Sequence, residues 1–392
     1  PANGLAASVL ADFVSTGLGQ LGLNWQGSPA LTEVEEVATD WLRQMLGLAS
    51  GWSGVIQDTA STATLVALIC ARERSTDYGA ARAGLQGRGS RLTVYISAHS
   101  HSSVEKAALL AGFGRENIRV IPVDAEFAMR PAALEAAVRS DRVAGCTPCV
   151  VVATTGTTAT TAIDPIEAIG VVARQQGLWL HVDAALAGSA MILPECRSLW
   201  RGIEAADSVV VNPHKWLGAA FDCSVYFVRD PQHLIRVMSS DPTYLQTHAD
   251  RAAINYRDWG IALGRRFRAL KLWFLIREQG VSGLQARLRR DLEHARWFAA
   301  RVDEAPDWRR LAPVPLQTVA VRHVPTGLAG DALDAHTCTW VERLNQSGEA
   351  FLTRAVLEGR WMVRVSFGAA ATEHTHVEAL WAAMRREAER RS

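Results

Sequence analysis

Apolar runs of strand length that alternate with helical patterns restrict this chain to few folds. The runs are Leu92–Ile96, Ile118–Val123, Val150–Thr154, Leu178–Val182, Val209–Val211 and Ser224–Val228, and the helical patterns lie near Ala60–Arg72, Ser103–Gly112, Pro131–Arg139 and Pro165–Gln176. Strands separated by helices pair most readily as a parallel sheet with helices on both faces. From about Gly260 the pattern changes to long helices, then Thr318–His323, a helix near Ala335–Asn345, paired strands around Ala350–Leu357 and Arg360–Ser366, and a charged last helix. The expected class is α/β: a large, mixed, mostly parallel sheet with flanking helices over residues 1–272, and a small α+β domain over residues 273–392. A chain of 392 residues with 48% hydrophobic content can bury such a core and usually divides into more than one domain. Neither internal repeats nor a low-complexity linker interrupts it.

Composition narrows the function classes. A formal charge of +1 gives no reason to expect nucleic acid or an anionic membrane as partner. Six scattered cysteines read as reduced cytosolic thiols. Cys146-Thr147-Pro148-Cys149 has redox spacing but leads into a strand, and a structural role is expected. No apolar stretch is long enough to span a bilayer and no basic-then-apolar leader opens the chain, so a soluble, cytoplasmic protein is expected.

The chemistry centres on Asn212-Pro213-His214-Lys215-Trp216, which follows the apolar run Ser208–Val211. A lysine delivered at the end of a strand covered on both faces is easily pushed toward the neutral amine that condenses with carbonyl compounds. A solvated surface lysine is the plainer reading of Lys215 alone. Upstream, Leu178–Val182 leads into Asp183, and Lys215 follows it after about one strand–helix–strand unit. Two neighbouring parallel strands then present an acid and an amine at the carboxyl edge, where open α/β sheets bind ligands. Pyridoxal phosphate requires such a pair, a lysine for its aldehyde and an acid for its ring nitrogen. A helix N-cap is the plainer reading of Asp183 taken alone.

The runs His181-Val182-Asp183-Ala184-Ala185-Leu186-Ala187-Gly188, Asn212–Gly218 with Phe221–Ser224 after it, and Asp241–Leu245 followed by Leu263–Lys271 resemble the group II pyridoxal-phosphate decarboxylases, specifically the aromatic-L-amino-acid decarboxylases. The resemblance extends from about Ala2 to the C-terminal helix. It implies the type I fold shared with aspartate aminotransferase, pyridoxal 5'-phosphate as cofactor, an aromatic L-amino acid as substrate, and a homodimer with its active site at the subunit interface. It implies that Lys215 holds the cofactor and Asp183 faces the ring nitrogen. Thr59, Ala60 and Ser61 grip the phosphate with help from Asn212, and His101 stacks on the ring opposite Ala185. Thr154 and His214 contact the cofactor, and Tyr244 returns a proton to the substrate carbon. Members begin several tens of residues earlier, so a chain opening at Pro1 is expected to lack an N-terminal segment and to expose apolar surface that it would cover.

Other readings stand beside these. Asp58–Thr62 is also a plain helix-capping cluster, and Asp58 is unfavourable near a phosphate unless its carboxylate points away. His99 and His101 share a strand face as metal ligands would, but no cysteine or carboxylate cluster completes a site. Thr154-Thr155-Gly156-Thr157-Thr158 lacks the lysine of a nucleotide loop. Tyr244 is otherwise a surface tyrosine, and Arg265, Arg266 and Arg268 are read as ion pairing within the fold. Gly264 matches a position associated with indolic substrates in plant members, and the family would place residues near Leu21 and Leu23 across the dimer interface. An aldehyde synthase, or a truncated cofactor-binding protein without turnover, are the rival functions.

Overall fold

The computed structural model describes residues 3–87, 89–240 and 253–390. Its larger sheet contains β1 (Ser53–Gln57), β2 (Leu92–Ser97), β3 (Ile118–Ile121), β4 (Thr147–Thr154), β5 (Trp179–Asp183), β6 (Ser208–Val211) and β7 (Ser224–Val228) in the order β1-β7-β6-β5-β4-β2-β3. Strands β2 to β6 pair in parallel, and β7 is antiparallel to both β6 and β1. The valine-rich β4 and β6 and the largely apolar β5 are buried almost throughout, as strands covered on both faces should be.

Connections place helices on each face. The helices α1 (Ala6–Leu18) and α2 (Pro29–Leu46) precede β1, and α3 (Ala60–Ser75) and the short α4 (Gly79–Ala83) follow it. Next come α5 (Ser102–Leu110), α6 (Pro131–Val143), α7 (Ile166–Gln176) and α8 (Pro231–Met238). Residues of α3, α5 and α8 pack with Val150, Val152, Trp179, Val210 and Tyr226 on one face. Those of α2, α6 and α7 pack with Val151, Leu180, Val182, Val209 and Val211 on the other.

The 36-residue α9 (Ala269–Glu304), broken at Gly280 where φ is +61°, leads to the second sheet. There β8 (Trp308–Arg310), β9 (Thr318–His323), β10 (Thr353–Leu357) and β11 (Arg360–Ser366) form an antiparallel sheet in the order β10-β11-β9-β8. The end of α9, α10 (Gly330–Ser347) and α11 (His374–Glu389) cover one face. Met362, Leu357 and Ala320 on the other pack against Phe127 and Ala162 of the larger part.

The boundaries differ from expectation where local signals conflict. Strand β3 stops at Ile121 rather than Val123, because Pro122 has no N–H for the ladder. Strand β10 starts at Thr353 rather than Ala350. Residues 187–205 form successive 3-10 turns that carry no apolar period. All six cysteines are free, and burial pushes the Cys149 thiol up to about 12, as suits a structural residue. No helix among the described residues is long and apolar enough to cross a membrane. Helix α1 leaves Leu10 and Phe13 62% and 79% exposed.

Candidate active site

Strand register builds the site. Thr154 lies opposite Asp183, and Asp183 opposite Val210, so the ends of β4, β5 and β6 form one row. Asp183 therefore shares a sheet face with Val152 and Val210, which pack against the α3 and α5 layer. Since β7 runs antiparallel to both neighbours, the end of β1 reaches the same edge: Gln57 pairs with Ser224 while Val211 pairs with Val225. The segment Asp58–Ser61 and the turn carrying Lys215 thus open onto one edge.

Past β6 the chain enters a single turn, Pro213–Leu217, in which Lys215 has the non-helical φ −95° and ψ −106°. The turn ends at Gly218, where φ of +90° suits a residue without Cβ. Burial lowers the Lys215 pKa; the Asp183 charge acts against this and the Arg364 charge adds to it. This is the direction an amine needs in order to act as a nucleophile. Asp183 is 6% exposed, and its Oδ1 accepts from the Ala185 N–H at 3.1 Å. His214 accepts from the Cys223 N–H at Nδ1 (2.9 Å), and burial with the Lys215 charge brings it down to about 4, so it is neutral and carries its proton on Nε2.

At the start of α3 no side chain of Thr59 caps the helix. Asp58 turns inward: its Oδ1 accepts from the Thr59 N–H at 2.6 Å. The carboxylate thus takes one of the donors expected for a phosphate, leaving Ala60 and Ser61 at the first turn. Asn212 is buried and its Oδ1 accepts from Ser224 Oγ at 2.6 Å, so its amide hydrogens are what it can offer a ligand. His101 caps α5, with Nδ1 accepting from the Ser103 N–H at 3.2 Å and lying 2.8 Å from Ser103 Oγ. His99 instead packs edge-on against Phe127, ring centroids 5.4 Å apart. Thr154 is fixed through its N–H, which donates to Asp164 Oδ2 at 2.7 Å, while Asp164 Oδ1 accepts from the Met129 N–H at 2.7 Å.

Beneath the row lies a buried polar cluster. Ser208 Oγ accepts from the Trp179 indole at 3.0 Å and lies 2.9 Å from His181 Nδ1. Burial brings His181 down to about 4.

The sequence reading missed Arg364. It reaches from β11 across to the Thr154–Thr158 loop, donating from Nη1 to the Thr158 carbonyl at 2.7 Å, and its charge is felt by Lys215. No local motif marks it; only the packing of the small sheet brings it here. Arg265, Arg266 and Arg268 pair with Glu35, Asp12 and Asp222, as expected of ion pairing within the fold. A Cβ on Gly264 would meet Leu21 Cδ1 of the same chain at 3.2 Å. Tyr244 lies outside the described residues.

This donor set fits a phosphorylated pyridine aldehyde: an amine held below its ordinary pKa, a buried carboxylate one strand away, a flat imidazole, the small Ala185, and a helix start without a side-chain cap. Residues 2–323 match the family model described as the pyridoxal-dependent decarboxylase conserved domain. The chain is 40% identical over 387 residues to the aromatic-L-amino-acid decarboxylase of Bos taurus, covering 95% of this chain and 77% of the relative. It is 37% identical over 398 residues to the phenylacetaldehyde synthase of Arabidopsis thaliana, covering 99% and 80%. The crystal structure of Oryza sativa TDC with PLP and tryptamine superposes with a TM-score of 0.95 at 36% identity, covering 99% of this chain and 82% of that one. With the site geometry and these likenesses together, the chain belongs to the pyridoxal-dependent decarboxylases of the type I fold, with aromatic-L-amino-acid decarboxylases among its relatives and pyridoxal 5'-phosphate as its cofactor.

Proposed function

We propose that this protein decarboxylates an aromatic L-amino acid to the corresponding arylalkylamine and carbon dioxide, with Lys215 as the cofactor lysine. The observation that supports this is the row of strand ends that brings the turn of Lys215 to the edge where Asp183 lies, with the Asp183 charge acting on the amine. Relatives named as tryptophan, tyrosine and aromatic-L-amino-acid decarboxylases support the substrate class. When bound, the cofactor supplies a protonated pyridine ring that accepts the electrons of the bond to the carboxylate.

The chain's residues hold and orient. Asp183 would face the ring nitrogen and favour its protonated form. His101 and Ala185 would hold the ring from its two faces. The first turn of α3, through the Thr59 hydroxyl with Ala60 and Ser61, would take the phosphate together with the amide of Asn212. Thr154 and neutral His214 line the same edge. Lys215 would hold the cofactor and give way to the substrate amine, and Tyr244 would supply the proton that replaces the carboxylate. The active form is a cytoplasmic homodimer with its site at the interface, which accords with the open apolar side of α1.

Oxidative conversion to an aldehyde is the second reading, favoured by the likeness to phenylacetaldehyde synthase and to the structure of Rhodiola rosea 4-hydroxyphenylacetaldehyde synthase. The test incubates the holoenzyme with tryptophan, tyrosine, phenylalanine and dihydroxyphenylalanine separately, reading carbon dioxide, amine, aldehyde and hydrogen peroxide. Amine without peroxide supports decarboxylation; aldehyde with peroxide supports the synthase. Cofactor binding without turnover of any of the four leaves a binding protein. Lys215→Ala should lose both turnover and the absorbance of lysine-bound cofactor, and a variant that keeps both refutes the assignment.

A further inference from the structure

The turn that carries Lys215 is held from behind by two charged residues of α9. Arg287 Nη2 donates to the carbonyl of Trp216 at 2.8 Å and to that of Leu217 at 2.6 Å. One helical turn later, Asp291 Oδ2 accepts from the Trp216 indole at 2.9 Å. Arg287 is 7% exposed and Asp291 and Trp216 are fully buried. The two charges face each other at 4.0 Å, Arg287 Nη1 to Asp291 Oδ2.

This is a costly way to fill the space. Arg287 Nε and Nη1 and Asp291 Oδ1 have no hydrogen-bond partner and no access to water. Burial lowers the Arg287 pKa and raises that of Asp291, both against the charged forms. Apolar side chains of similar volume would pack here without that desolvation. What they could not do is bind two successive carbonyls and an indole N–H of one short turn.

That turn needs holding. Lys215 sits at φ −95° and ψ −106°, away from the helical well, inside a segment of five residues. The direction in which its side chain leaves the backbone follows those angles. Its far end is pinned at Trp216 and Leu217 by Arg287, and the following loop is held where Arg268 Nε donates to Asp222 Oδ1 at 3.0 Å. Arg287 of α9 and Arg268, the residue just before that helix, therefore hold the chain on either side of Gly218.

We infer that Arg287 and Asp291 are positioning residues for Lys215, clamping the turn so that the amine points across the strand ends toward Asp183. The inference rests on the reading of Lys215 as the cofactor lysine. A shift of the amine by about 1 Å is enough to slow a reaction of this kind by around 100-fold.

The test uses the holoenzyme of the double variant Arg287→Met/Asp291→Asn, which removes both clamp charges together, while Arg290, 3.7 Å from Asp291 Oδ1, keeps its bond to the Ala370 carbonyl. Three quantities are read: thermal midpoint, pH midpoint of the absorbance band of lysine-bound cofactor, and the rate at which an aromatic amino acid displaces Lys215 in a rapid-mixing experiment. The clamp predicts displacement slowed by about 10- to 100-fold and a moved pH midpoint, with Arg287→Lys recovering part of the rate. A displacement rate and pH midpoint equal to wild type, whatever the thermal midpoint, overturn it. If the double variant does not fold, Arg287→Lys and Trp216→Phe carry the same readouts and wild-type values in both overturn the clamp. Wild-type holoenzyme lacking the band refutes the cofactor-lysine reading; a normal wild-type band with unchanged variants refutes the clamp alone.

Discussion

Arg265→Met should be among the most damaging substitutions outside the cofactor site. Its guanidinium makes a two-point contact with Glu35, Nη1 to Oε2 at 2.9 Å and Nη2 to Oε1 at 2.5 Å, and Nη2 also donates to the Ile56 carbonyl at 2.7 Å. Glu35 Oε1 accepts from the Ile56 N–H at 2.8 Å, and its side chain is fully buried. Removing the arginine leaves a buried carboxylate facing apolar surroundings, a change that costs about 3–5 kcal/mol. Against a typical total of about 5–15 kcal/mol, that is at least about a fifth of the stability. With about 3 kcal/mol lost per molar urea, the unfolding midpoint falls by about 1–1.7 M. Ile56 lies two residues before Asp58, so the start of α3 should loosen and cofactor affinity should fall as well. Glu35→Gln/Arg265→Met removes both charges and should recover at least half of the loss. Urea unfolding followed by circular dichroism decides it. A midpoint lowered by less than about 0.3 M in the single variant, or a double variant no better than the single, would refute the reasoning.

Acid should destabilise the protein between about pH 6.5 and 4, because burial brings His181 and His214 down to about 4. The unfolded chain takes up protons on both near 6.5 and the folded chain does not, so stability falls with pH by up to about 1.4 kcal/mol per unit for each. Asp164, pushed up to about 6, keeps its proton when folded and offsets one of the two between about 3.8 and 6. His181→Gln should flatten the acid limb of a stability–pH curve by about one histidine's slope, and an unchanged limb counts against the account. Arg364→Met removes a cation that holds the Lys215 pKa down, so that pKa rises and fewer molecules carry a free amine near neutrality. Capture of added pyridoxal phosphate by the apoprotein should then slow at pH 7 and shift its profile to higher pH, while Arg364→Lys keeps the original profile; a wild-type profile in Arg364→Met removes the electrostatic role.

What was legible in the sequence followed from patterns local to one element. The runs ending in Asp183 and before Asn212 read correctly because a parallel strand covered on both faces is mostly apolar, with valines and leucines enough here to mark the run despite His181 and Ser208. The Thr59–Ser61 helix start was visible for the same reason, as a hydroxyl-rich break before a helical period. The inward turn of Asp58 was not visible, since one side-chain rotation separates a carboxylate that points away from one that caps the backbone. Strands β1 and β8 were not among the runs read as strands, and β8 is too short for any period. Arg287, Asp291 and Arg364 were hidden for a different reason. Each sits among the regular alternation of a helix or strand, and each acquires its place only when α9 or the small sheet packs against a segment distant in sequence.

The buried cluster of Trp179, His181 and Ser208 has a consequence for how the sheet aligns. In a sheet with one wet face, a strand that slips by one residue turns its apolar side chains outward, and that penalty fixes the pairing. Strands β5 and β6 are covered on both faces, so apolar patterning offers little such penalty. The polar groups supply it. A slip by one residue would carry Ser208 to the opposite face and set Val209 against His181, leaving the Trp179 indole and His181 Nδ1 unpaired in apolar surroundings at roughly 1–3 kcal/mol each. The bonds between Leu180 and Asp207, 2.8 Å in each direction, would break with it. The cluster works as a key cut for one alignment, and since that alignment sets the separation of Asp183 from the turn that follows β6, three residues well below the cofactor edge decide whether acid and amine meet there.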